Sequence, residues 1–242
     1  MSRKKCHEVI VFTATDGLMF NLKFQYNHRL RYIGWALFTL IFILPCMQNT
    51  VVAGQRNSIV AEAIAVLEKP DSIMINRTDA VEIVRQAAHD GDGKAAAVLG
   101  RLHVTGIAVE PDLKLARHWL EVAIRSQQAT AFFDLSLLLN DPASDAYNPE
   151  QAGQHFETAL TMQEPRACYV AAGRALEIGQ TKNVAQFLKC SAKGGYGPGA
   201  VSYVDYEQMI TGGSASEEAR RYLKFAATRG FAEASTKLAT LN

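Results

Sequence analysis

A spacing of 36 residues recurs along the chain and limits what it can fold into more than any other feature. Ala95 and Ala131, Leu99 and Leu135, Ala116 and Ala152, and Ala123 and Ala159 are each 36 residues apart. Ala80, Ile83 and Ala87 precede Ala116, Trp119 and Ala123 by the same interval, and Ala167 follows Ala131 by it. Beyond Gly179 a shorter turn shifts the register by a few residues. Ala219, Tyr222, Leu223, Ala226, Ala227 and Gly230 then recover it, and Ala234 to Leu238 reads as a closing half-unit. A fixed period of ~20–50 residues is the mark of stacked supersecondary units.

The stretch from Ala95 to Gln128 shows what one unit contains. Ala95, Leu99, Leu102 and His103 share one face at helical spacing, and Gly100 lets a neighbouring backbone come close. Thr105-Gly106 ends this helix, because glycine enters the left-handed region cheaply. Val109-Glu110-Pro111-Asp112 starts a second helix, with proline near its first turn and an acid where the helix dipole favours one. That helix is expected to bury Leu115, Ala116, Trp119, Leu120 and Ala123. A hairpin this short cannot cover both apolar faces alone, so it needs copies beside it.

The order A-x-x-x-L-G, then Gly, then V-x-x-D, then A-x-x-W-x-x-x-A resembles the Sel-1-like repeat, a cousin of the tetratricopeptide repeat. Ala95, Leu99, Gly100, Gly106, Val109, Asp112, Ala116, Trp119 and Ala123 carry the likeness, and Arg220–Gly230 with the following Phe231–Ala234 repeats it. The tetratricopeptide period is ~34 residues, so a step of 36 favours the Sel-1-like assignment. Ala108 stands where the family usually has a second glycine, His103 where it has tyrosine, and His155 where it has tryptophan. The second copy replaces the glycine turn with the run from Asn140 to Asp145. The resemblance covers roughly residues 58–242. It implies an all-α fold, a right-handed α/α solenoid of about four hairpins plus a terminal half-repeat.

Charge is uneven along the chain. Residues 1–53 hold six Lys/Arg against two Asp/Glu, and the remainder nineteen against twenty-two. A slightly acidic repeat region argues against nucleic acid as a partner. Residues 1–31 form a basic extension, with Met19 an alternative start. Tyr32–Leu44 is uncharged, of a length suited to a secretory h-region and short of the ~20 residues that span a bilayer. Pro45 breaks it, and Val51-Val52-Ala53 supplies the small residues of a cleavage site, so 32–53 reads as signal peptide or signal anchor. Pro45 before Cys46 argues against a lipoprotein. The pattern predicts a periplasmic or secreted protein. The alternative keeps it anchored in the inner membrane by the N-terminal segment, its repeats outside the cytoplasm.

Residues 54–57 read as a linker, Ser58–Glu68 as a helix capped by Ser58 and ended by Lys69-Pro70, and Ala80–Ala88 as a helix capped by Thr78 or Asp79. Asn76-Arg77-Thr78 matches a glycosylation sequon by chance. Asp90-Gly91-Asp92-Gly93 is an inter-repeat turn rather than a calcium loop, because Arg101 stands where the loop's Glu would be.

No G-x-S-x-G, P-loop or H-E-x-x-H motif occurs, so no catalytic residue, metal site or cofactor is expected. His89, His103, His118 and His155 read as surface or half-buried residues, with His118 outward and His155 at a core position. Trp119 reads as core. Cys168 and Cys190 lie nearly level about the turn at Gly179-Gln180. They form either a disulfide, as an oxidising compartment allows, or two separate thiols.

Solenoids of this kind bind along the concave surface of their first helices. By analogy with tetratricopeptide geometry the exposed positions are Arg101 and Val104, then Phe133, Leu137 and Asn140, then Tyr169 and Leu176, then Tyr206 and Met209. Arg101, Phe133, Leu137, Tyr169 and Tyr206 are the candidate partner-binding residues. The expected function is a non-catalytic protein-binding scaffold of the bacterial envelope, its partner a protein or peptide of an export, polysaccharide or signalling apparatus. The alternatives are a signal-anchored adaptor or regulator, and an exported hydrolase like some cysteine-rich members of the family.

Overall fold

The computed structural model describes the backbone of residues 44–68 and 74–241, with side chains from 56–68 and 77–241. The basic extension, Met19, nearly all of the apolar leader segment and the Lys69-Pro70 stop lie outside the described residues. The chain divides into two units, Met1–Arg56 and Asn57–Asn242. Of the first, residues 44–56 are described, and they are helical.

Every described element is a helix: α1 Leu44–Glu68, α2 Met74–His89, α3 Gly93–Thr105, α4 Leu113–Arg125, α5 Ala129–Leu139, α6 Pro149–Thr161, α7 Pro165–Glu177, α8 Thr181–Lys193, α9 Gly197–Thr211, α10 Glu217–Thr228 and α11 Ala232–Thr240. Pairing follows chain order. α3 packs with α4, α5 with α6, α7 with α8 and α9 with α10, while α11 closes on α10 and α9. This is an all-α helical-hairpin solenoid of four such hairpins and a terminal half-unit, preceded by α1 and α2.

Helix ends explain the punctuation. Asp92 caps α3 by accepting the Ala95 N–H at 3.0 Å, and Gly106 ends it at φ +67° with its N–H on the Leu102 carbonyl. Asp112 caps α4 by accepting from Lys114 and Leu115, so Pro111 precedes the cap instead of entering the first turn. Asn148, Glu164 and Ser216 cap α6, α7 and α10 in the same way.

Packing follows the small residues at each repeat position. Ala95, Ala131, Ala167 and Ala200 are fully buried on successive first helices, and Ala123, Ala159 and Ala226 on second helices. A Cβ on Gly100 would lie 2.8 Å from Leu120 Cγ and 3.2 Å from the Ala116 carbonyl, so glycine there permits the close crossing of α3 and α4. Leu99, Leu120, Leu139 and Leu223 are also fully buried, each contributing about 1.5–3 kcal/mol. The apolar patches succeed one another along the stack: Val60 to Ala152, then Phe132 to Ala171, then Ala172 to Ala234.

Three sequence expectations are corrected. α1 runs unbroken from Leu44, so residues 54–57 are helical and Ser58 lies inside the helix instead of capping it. α2 begins at Met74, which puts Thr78 and Asp79 in its second turn. Leu115 is 43% exposed, because the Asp112 cap sets the rotation of α4 so that Ala116, Trp119 and Leu120 take the inner face.

Candidate partner-binding groove

First helices of the last units enclose an open groove of about 710 Å³. Tyr169 of α7 forms one wall. Pro198, Val201 and Ser202 at the start of α9 form its floor, and Ala232, Glu233, Thr236, Lys237 and Thr240 of α11 form the far wall. An aromatic ladder adjoins it. The Tyr169 ring meets Tyr196 edge-on at 5.5 Å, and Tyr196 meets Phe231 at 6.0 Å. Burial pushes the Tyr196 phenol up, so this ring remains neutral. Lys237 Nζ pairs with Asp205 Oδ1 at 2.5 Å, while Glu233 is exposed. The lining therefore combines apolar surface, hydroxyls, the Glu233 carboxyl and a lysine paired from outside the groove, a mixture suited to polypeptide.

Of the residues expected on the open face, Tyr169 lines the groove and is half-buried. Tyr206 is half-buried too, its hydroxyl donating to the Thr181 carbonyl at 3.1 Å. Leu137 is 50% exposed and Met209 69% exposed, while Asn140 and Leu176 also face solvent. Arg101 is half-buried and tied to Glu68 at 3.2 Å, and Val104 packs partly on the core. Phe133 overturns its expectation: it is only 4% exposed. Its ring packs on Phe156 at 6.4 Å, and the Arg166 guanidinium lies 4.7 Å from its centroid, so these neighbours cover the ring.

Arg166, itself half-buried, joins two buried carboxylates in a cluster that the sequence reading did not isolate. It donates to Asp134 at 2.6 Å and to Glu164 at 2.9 Å. Burial alone would lower its pKa, but the two carboxylates outweigh that and raise it. The groove walls on α11 were also missed, although Ala234 follows Ala200 by 34 residues and so places α11 in the first-helix series.

Cys168 and Cys190 are joined, with an S–S distance of 1.99 Å and a Cα–Cα distance of 6.0 Å. The bond ties α7 to α8 across 22 residues, and closing a loop of this size stabilises by about 3 kcal/mol. His89 and His118 are exposed and flank the Trp119 ring edge-on at 4.9 and 5.1 Å. His155 is half-buried against Phe132, and desolvation lowers its pKa despite Glu121 nearby. Among the described residues no group of His, Cys, Asp and Glu is placed to hold a metal ion.

A stack of helical hairpins with an open groove along its first helices defines the class as an α/α solenoid. No family model matches the sequence, and no curated protein matches it. Solved structures do. The chain is similar to the immunity protein Pa5087 from Pseudomonas aeruginosa at 21% identity and a TM-score of 0.54, covering 75% of this chain and 68% of that one. It is similar to the immunity protein PA5088 of the same organism at 22% identity, again with a TM-score of 0.54 and the same coverage. A Sel1 repeat protein from Oxalobacter formigenes matches at 21% identity and a TM-score of 0.49, over 68% of this chain and 49% of its own length. The chain thus spans about half of that protein.

Proposed function

We propose that this protein is an exported, non-catalytic scaffold of the bacterial envelope that holds an extended stretch of a partner protein in the groove between α7, α9 and α11. The observation that carries the reading is the groove itself, lined by polar and apolar side chains of first helices, the helices that line the binding surface in stacked-hairpin scaffolds. The bridge between Cys168 and Cys190 supports export, since such bonds persist in oxidising compartments. The immunity proteins among the similar structures accord with a non-catalytic role.

A second reading, a membrane-anchored adaptor, is favoured by one observation: α1 passes through Val51-Val52-Ala53 without a break. Among the described residues no helix is long and apolar enough to cross a membrane. Fractionation separates the two, because cleavage yields a soluble chain starting near Gly54 and an anchor leaves the whole chain with the membrane.

The groove is tested by photo-crosslinking in cells. A benzophenone side chain at Ser202 or Thr236 should trap one protein species, a probe at the outward Glu150 should not, and Tyr169→Ala should cut the yield about tenfold. Equal labelling from all three positions would sink the groove as the binding site.

A further inference from the structure

The disulfide joins α7 and α8 one residue from Tyr169, which lines the groove, and one residue from Ser191, which packs against Gly199 of α9. Cys168 is buried in α7 and is followed by Tyr169, the near wall. Cys190 in α8 is followed by Ser191, which is fully buried and faces α9. A Cβ on Gly199 would come within 2.0 Å of Ser191 Oγ, so α8 and α9 meet there without any slack. Gly199 sits between Pro198 and the Val201-Ser202 pair on the groove floor. At the same end of α8, a Cβ on Gly194 would lie 2.2 Å from Pro165 Cγ at the start of α7.

We infer that the Cys168–Cys190 bond is the clamp that fixes the separation of the groove's walls, making the groove a redox-conditional binding surface. The inference rests on the proposed role of the groove. With the bond intact, Tyr169 and the start of α9 are both referenced to one covalently closed hairpin. Tyr196 and Phe231 extend that reference to α11 through the aromatic ladder. Reduction by a dithiol breaks the Sγ–Sγ bond. Two electrons and two protons pass to the cysteines, leaving two thiols, and the dithiol closes into a cyclic disulfide. α7 and α8 then remain joined by packing alone, and the loosening reaches α9 through Ser191.

Amide hydrogen exchange on the full chain tests this without any partner, with and without dithiothreitol. Reduction should speed exchange at least about tenfold at residues 200–206 of α9 and 235–238 of α11, beyond the bridged hairpin, while α3 to α6 stay protected. A Cys168→Ala/Cys190→Ala variant should show the fast pattern in both conditions. Change confined to residues 165–193, equal change throughout the stack, or no change would each overturn the inference. A groove that loosens as expected but captures no protein in the crosslinking experiment would instead sink the binding role and leave the clamp standing.

Discussion

Arg166 on α7 donates from Nη1 to Asp134 Oδ1 on α5 at 2.6 Å, and this contact joins two consecutive first helices of the stack. Asp134 is buried, and its other oxygen has no hydrogen-bond partner. Glu164, also buried, is spent on Arg166 and on the Ala167 N–H that it caps. Removing the cation therefore leaves carboxylates out of water with too few donors. Arg166→Met should cost about 3–5 kcal/mol. Adding Asp134→Leu should restore part of that loss, since the uncompensated charge goes with it. Urea unfolding of the single and double variants reads both values, and a double variant weaker than Arg166→Met would refute the account.

Ala108 adopts φ +61°, in the left-handed region that alanine enters at a cost of about 1–2 kcal/mol. It follows Gly106, at φ +67°, in the turn between α3 and α4. Ala108→Gly should raise stability by about 0.5–1 kcal/mol, the relief being partly offset by the freer unfolded chain. Gly106→Ala should lower it by a similar amount. Thermal melts of the two variants should move in opposite directions.

The hairpins were legible because one constraint writes them repeatedly. Wherever two helices cross closely the sequence needs a small residue, and Ala95, Ala131 and Ala167 mark those crossings at equal intervals. Phe133 was not legible. α5 is apolar around most of its circumference, so periodicity does not say which side is covered, and the cover comes from Arg166, 33 residues away. Caps fared unevenly for a related reason. Asp112 is followed by a clear apolar stripe, while Ser58 and Thr78 look the same in sequence but lie within helices that start further upstream. The groove was half legible: Tyr169 belongs to a full repeat, but its opposite wall belongs to the terminal half-unit, where no second helix completes the pattern.

Glu207 at the end of α9 accepts from the Ser216 N–H at 2.9 Å and from its hydroxyl at 3.0 Å, latching α9 to the start of α10. Burial pulls the carboxyl upward, but the Ser216 backbone and side-chain bonds, helped by Tyr203, outweigh it and hold the pKa below the ordinary 4.5. A folded-state value below the unfolded one means the contribution is present at neutral pH and is lost as pH falls through the depressed value. The stability difference between the wild type and Glu207→Gln, measured by urea midpoints, should be steady from pH 7 to 6 and shrink as the pH drops below 4.5. A difference that grows on acidification would reverse the sign and refute the latch.

Ser191 occupies the repeat position held by Ala123, Ala159 and Ala226 in the other hairpins, and like them it is fully buried. Its hydroxyl has no hydrogen-bond partner, so the fold desolvates a polar group and recovers nothing for it. An unmet buried hydroxyl costs about 1–3 kcal/mol. Ser191→Ala keeps the Cβ that packs toward Gly199 and deletes only the stranded oxygen, so it should stabilise the protein by about 1 kcal/mol. Ser191→Gly makes the same deletion but removes the packing atom and adds backbone freedom within α8, so it should not stabilise. Gly199→Ala should be strongly destabilising in the wild type, where the new methyl would meet Ser191 Oγ at 2.0 Å and Cβ at 2.6 Å, and somewhat less so in the Ser191→Ala background, where the Cβ clash alone remains. Urea unfolding of this set checks the whole argument, and an Ser191→Ala variant less stable than the wild type would show that the hydroxyl is satisfied in solution after all.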